Sequence, residues 1–170
     1  GAYHKMISVN KVVQILIFCT LGNLAGALIM GWLVAQTTPF QTLTIDNFIV
    51  ATAEAKLAKD LWTVFLEGIL ANIYVNIAIL GFLFAKNEVA KIILVFGAIF
   101  MFVFLGYEHV VANFGTFGIL IASTYHSAPL AISNVLVYFG VAWVGNYIGG
   151  GILMGLVYAW YNNDGLALLD

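Results

Sequence analysis

The sequence predicts an all-α, polytopic membrane protein, and three observations carry that prediction. Composition is the first. Of 170 residues 63% are hydrophobic and 8% charged, and the mean hydropathy is +1.03, whereas a soluble domain carries about 25% charge. The second is that four apolar runs approach or exceed the ~20 residues that cross a ~30 Å hydrocarbon core. The third is that one of those runs is too long for a single crossing, which predicts a broken helix near 106–118. Aromatics make up 15%, suited to anchoring helix ends at the two interfaces. No basic patch marks a nucleic-acid partner. The single cysteine, Cys19, lies in an apolar segment, so no disulfide framework or thiolate metal site arises within one chain; a small packing residue is expected there.

The first span is expected over about 12–35, closed by Gln36-Thr-Thr-Pro39. A polar loop follows, and its 47–60 stretch is rich enough in Ala and Leu to be partly helical. The second span is about 61–84, ended by the Lys86-Asn-Glu88 turn. The fourth is about 131–161, stopped at Asn162-Asn-Asp-Gly165. The third run, Ala90 to Ala122, is 33 residues long, about 50 Å of helix at 1.5 Å per residue. Gly106, Gly115 and Gly118 permit non-helical backbone, and irregular backbone at membrane depth is tolerated where it is buried in protein or lines a cavity. Glu108, His109 and Asn113 fall in the same window. An ionisable pair inside apolar sequence marks a substrate, ion or proton path, or else a pair buried between helices.

Two further patterns organise the chain. Lys5, Lys11, Lys86 and Lys91 fall on one side of the predicted spans, against Lys56 and Lys59 on the other. This places both ends of the segment in the cytoplasm, with the spans in the cell membrane. The motif Gly-Asn-x-x-Gly occurs as Gly22-Asn23 to Gly26 and again as Gly145-Asn146 to Gly149. Such internal repeats are common in transporters, where each half carries a discontinuous helix beside the pore. An equivalent of the broken span would precede residue 1. The opening Gly1-Ala-Tyr-His-Lys5 has no signal-peptide pattern, so residues 1–170 are expected to be one transmembrane domain, the C-terminal portion of a larger protomer.

Several motifs occur together and in order. They are Gly106-Tyr-Glu-His-Val-Val-Ala-Asn113, Gly68-Ile-Leu-Ala-Asn72, the two Gly-Asn motifs, and Ala53-Glu-Ala-Lys56. With them the chain resembles the formate/nitrite transporter family over essentially all of its length. The first is similar to that family's Gly-Phe-Glu-His-x-x-Ala-Asn signature. The second is similar to its Gly-Ile-Leu-Cys-Asn motif, with Ala71 in place of Cys. The resemblance implies an aquaporin-like protomer of six helices in two inverted halves, of which this chain would hold helices three to six. It also implies homopentamers with one pore per protomer, a small monovalent anion as substrate (formate or nitrite, with lactate and hydrosulfide handled in the wider family), proton-linked transport, and no cofactor, metal or enzyme activity.

The expected roles follow from chemistry and from that resemblance. His109 is the expected proton manager, since imidazole titrates near neutral pH; residue type alone fits a satisfied core histidine equally. Glu108 is expected to bond Lys56, Asn72 or Asn113, or to be a purely structural buried acid. Asn72 and Asn113 are expected to support that network or to hold two helices together. Lys56 is expected to attract the anion to the outer mouth, the alternative being a surface ion pair with Glu54 or Asp60; Lys59 reads as a surface lysine. Phe102, two turns before His109, is a possible constriction on the cytoplasmic side or ordinary packing. Glu67, two turns inside the second span, carries no transport role in this reading, and His4 and His126 read as exposed loop residues. Rival classes are a haem- or metal-binding membrane subunit of an oxidoreductase using His109 and His126, a water or glycerol channel, and a non-transporting assembly subunit. Paired Asn-Pro-Ala motifs, the mark of the channel, are not present.

Overall fold

The computed structural model describes residues 7–162. His4, Lys5 and the Asn163-Asp164-Gly165 part of the expected stop lie outside the described residues. Helices α1 (Val9–Ala35), α2 (Phe48–Leu57), α3 (Leu61–Phe84), α4 (Glu88–Phe104), α5 (Val110–Ala122) and α6 (Ile132–Asn146) follow in order. After α6 the chain continues as a wider π-type helix (Tyr147–Leu156) and a short α7 (Val157–Tyr161). Among the described residues there is no strand. Three stretches are long and apolar enough to cross a membrane: Val9–Ala35, Leu61–Phe84 and the continuous Ile132–Tyr161. The chain is a polytopic helical membrane protein.

Helix starts are set by polar caps just outside the apolar runs. Ser8 accepts from the Lys11 amide, Asn47 from Ile49, Asp60 from Thr63 and Asn87 from Ala90, each satisfying an amide that the first turn leaves without a partner. The polar loop after α1 contains the short helix expected from its composition. In lipid, apolar faces gain little by leaving their surroundings, so packing and hydrogen bonds hold the helices together. Accordingly α1 packs on α5, and α3 packs on α4 and on α6 with its π continuation. The α3–α6 crossing needs a residue without a side chain. A Cβ added at Gly149 would lie 2.8 Å from the Ile69 carbonyl carbon and closer still to its oxygen. The buried core, with Val64, Phe114, Phe117, Val135 and Ala142, lies where α2, α3, α5 and α6 meet.

The third run is two helices, and the break is shorter than expected. It covers Leu105 to His109, while α5 runs unbroken through Gly115 and Gly118. Among the described residues only Gly106 has a backbone that favours glycine, with φ +69°. Gly118 is instead a packing residue against the Ala27 backbone of α1. Cys19 is also not a packing residue within this chain, since it is exposed.

The loops gather at two opposite ends. Tyr125 donates to Glu54 at 2.9 Å and Thr124 to the Gln41 carbonyl at 3.4 Å, so the α1–α3 and α5–α6 connections share one end. At the other end the Phe84 and Tyr158 rings lie 6.2 Å apart.

Candidate functional site

The site is built on the break between α4 and α5. Helix α4 ends on Gly106, where the Gly106 amide bonds the Val103 carbonyl and the Tyr107 amide the Phe102 carbonyl, both at 3.0 Å. This pair of bonds, closed by a left-handed residue, satisfies carbonyls that a helix end otherwise leaves open. Three residues later α5 begins, with His109 as its N-cap: Nδ1 accepts from the Ala112 amide at 3.3 Å. An accepting Nδ1 carries no proton, so the neutral ring holds its proton on Nε2. Among the described residues Nε2 has no hydrogen-bond partner. His109 borders a cavity of about 190 Å³, with Asn23, Asn72, Thr20 and Trp143 around it. A second cavity of about 490 Å³ shares Leu16, Asn72, Asn146 and Tyr147 with the first. The Phe102 ring, buried, packs 5.7 Å from the imidazole.

Glu108 points the other way and is fully buried. Its Oε2 accepts from Lys56 at 2.7 Å, from Asn113 at 2.9 Å, and from the Tyr138 hydroxyl. Its Oε1 accepts from Lys59 at 2.6 Å. A buried carboxylate is tolerated when charges and donors surround it in this way. Of the three partners expected for Glu108, the structure supplies Lys56 and Asn113. Asn72 is a correction: its amide donates to the Asn146 carbonyl at 2.7 Å. Asn72 faces the His109 cavity, on the opposite side of the break from the Glu108 carboxylate. Glu54 and Asp60 are not partners of Lys56 either. Glu54 accepts from Tyr125 and Asp60 caps α3.

Lys59 is not a surface lysine. Its ammonium reaches Glu67 at 2.5 Å, Glu108 at 2.6 Å and the Gly106 carbonyl at 2.9 Å. Burial works against its charge, but the bonds and charges of Glu108 and Glu67 outweigh burial and hold it above the ordinary lysine value. It therefore stays charged through neutral pH. Glu67, given no partner from sequence, is thereby assigned one.

The residue that sequence reasoning most underrated is Asn146. Its Oδ1 accepts from the Val110 amide at 2.8 Å, while Nδ2 donates to the Glu108 carbonyl at 2.7 Å and the Gly68 carbonyl at 2.8 Å. One side chain thus satisfies the backbone on either side of His109 and ties it to α3. The signal was present in the repeated Gly-Asn motif. Its counterpart Asn23 donates to the Cys19 carbonyl of its own helix at 2.9 Å. Nothing in the sequence marked Tyr138.

A sequence model described as "Formate/nitrite transporter" matches residues 1–160. The chain belongs to the formate/nitrite transporter family. Relatives include the uncharacterized transporter YwcJ of Bacillus subtilis (strain 168), 28% identical over 163 residues, covering 96% of this chain and 63% of that protein. The nitrite transporter NirC of Escherichia coli (strain K12) is 31% identical over 164 residues, covering 95% and 59%. A solved structure titled "FNT family ion channel" superposes with a TM-score of 0.87 at 27% identity, covering 95% of this chain and 64% of the other. The chain thus spans about three fifths of the length of each of these three proteins.

Among the described residues no three of His, Cys, Asp and Glu gather to hold a metal. His126 is exposed and borders a different cavity from His109, so the two do not form the axial pair that a haem reading requires.

Proposed function

We propose that the protein containing this chain is a membrane channel or transporter for the small monovalent anions of weak acids, formate or nitrite, which cross as neutral acids. The observation that carries this reading is His109. It is held at a helix break on the border of a cavity, with Nδ1 engaged by the Ala112 amide, beside a buried Glu108 that bears lysines from the outer mouth. Membership of the family and the similarity to a nitrite transporter support the same reading.

The energetics favour neutralisation. Moving a bare anion into an apolar constriction costs of order 20 kcal/mol by an idealised Born argument, and several after relaxation. Protonating a carboxylic acid whose pKa is near 4 costs only about 4 kcal/mol at pH 7. Lys56 has three N–H donors and makes one hydrogen bond among the described residues, to Glu108, so donors remain for an arriving anion. His109 then takes up a proton and passes one from its ring to the anion. While both ring nitrogens are protonated no lone pair remains for the Ala112 amide, and the cap re-forms as the ring returns to neutral. Phe102 below the ring narrows the cytoplasmic side. The rest of the pore lining comes from a further segment of the protomer, assembled as a homopentamer with protons and lipid as its other partners.

The test is uptake of labelled formate or nitrite by proteoliposomes holding the full-length protein. Uptake should rise as external pH falls. His109→Ala should lower the rate at least about tenfold and flatten that pH dependence, in the range that general acid–base groups contribute. Unchanged uptake with unchanged pH dependence would remove His109 from the mechanism.

A further inference from the structure

Glu67, and the bonds of Lys59 beyond Glu108, have no part in the transport reading. Lys59 lies between α2 and α3, and Glu67 lies on α3 about two turns further in; their side chains are 24% and 20% exposed. Lys59 directs its three donors at three fixed acceptors: Glu67, Glu108 Oε1 and the Gly106 carbonyl. Gly106 is the residue on which α4 turns into the break. This one ammonium therefore holds both the loop that carries His109 and one of the two oxygens of Glu108, leaving Oε2 to Lys56, Asn113 and Tyr138. Lys56 and Lys59 against Glu108 alone would leave the cluster at net +1. Glu67 brings it to zero.

We propose that Lys59 and Glu67 are positioning residues that act through Glu108 and the Gly106 carbonyl. The pair fixes the break loop and holds the Lys56–Lys59–Glu67–Glu108 cluster at zero net charge, and so sets how tightly Lys56 binds an arriving anion. The proposal rests on the transport reading for its effect on the anion, and on geometry alone for its effect on the loop.

Charge arithmetic gives a test that a merely structural pair would not pass. Glu67→Gln leaves the cluster at +1, Lys59→Gln leaves it at −1, and the double variant returns it to zero. Formate and nitrite uptake would be measured with the full-length protein in proteoliposomes at low and high salt. Glu67→Gln should lower the half-saturating concentration about three- to tenfold, and Lys59→Gln should raise it by a similar factor. The double variant should return towards the parent, and all differences should shrink at high salt. Shifts of the same sign in both single variants, or no shift in either, would overturn the charge-setting role.

The second readout is amide hydrogen exchange at 105–110 in the same variants, which needs no transport. Lys59→Gln and the double variant should exchange about tenfold faster there than the parent, because the Gly106 carbonyl loses its anchor. Unchanged exchange would overturn the positioning role. If the full-length parent carries neither anion, the transport reading fails on its own, and the pair is then decided by exchange. If a single variant fails to assemble where the double assembles, the coupling of the two residues stands.

Discussion

At the scale of single residues, the two lysines of the mouth differ in what they have left to offer. Lys59 is engaged by three acceptors, while Lys56 makes one bond, to Glu108, at 14% side-chain exposure. A cation held in place by a buried carboxylate, yet with free donors, concentrates anions at an entrance without being a deep trap. Lys56→Ala should therefore reduce uptake at low substrate concentration and spare the rate at saturation, with about a three- to tenfold rise in half-saturating concentration. Equal rates at every concentration would sink the attractor role. The same comparison separates Lys56 from the pH response. Lys59 is held above the ordinary lysine value by its acidic partners; the charge its bonds favour is present at and below neutral pH and is lost only as pH rises through that raised value. A response of uptake between pH 5 and 8 therefore does not come from Lys59.

At the scale of elements, the break was legible because length and polarity converged on one window, and its edges were not. The run of 33 residues required an interruption, and Gly106 supplied its stop through a left-handed backbone. Gly115 and Gly118 looked equivalent to it in sequence but are helical; Gly118 is kept for close packing on α1, and such a glycine reads like one kept for its backbone. Lys59 and Glu67 were misread for a related reason. A lysine beside a loop resembles a solvated one until the chain folds the break carbonyl and two carboxylates around it. An eight-residue separation between Lys59 and an intramembrane acid was the available hint. Tyr138 gave none, since an aromatic in an apolar helix has many reasons to be there. Asn146 is the element-scale support, with bonds to Val110, Glu108 and Gly68. Asn146→Ala leaves the Val110 amide and the Glu108 carbonyl buried without partners, at about 1–3 kcal/mol for each unsatisfied group, while the Gly68 carbonyl keeps its helical bond within α3. The variant should unfold in detergent several degrees below the parent and lose uptake. A parent-like melting temperature would show that water or neighbouring groups satisfy the break without Asn146.

At the scale of the whole molecule, the two ends differ in how their charges are employed. One end carries Lys56 and Lys59, both committed to Glu108, with Lys59 also bonded to Glu67. The other carries Lys11, Lys86 and Lys91; of these Lys91 pairs with an exposed Glu88 at 2.8 Å. The raw count favoured that second end by four lysines to two over the whole sequence, and ion pairing widens the contrast, because lysines locked into a buried cluster are not free to act as cytoplasmic anchors. The chain should therefore lie with the α3–α4 turn in the cytoplasm and both the α1–α3 and α5–α6 connections outside. In a Cys19→Ala background, Thr44→Cys and His126→Cys should react with a membrane-impermeant thiol reagent on intact cells, and Lys86→Cys only after lysis. All three positions are exposed, so failure to react reports sidedness rather than burial. The reverse pattern would invert the orientation and make the Lys56 mouth an intracellular exit. Labelling of Thr44→Cys and His126→Cys from different sides would contradict the shared end fixed by the Tyr125–Glu54 and Thr124–Gln41 bonds.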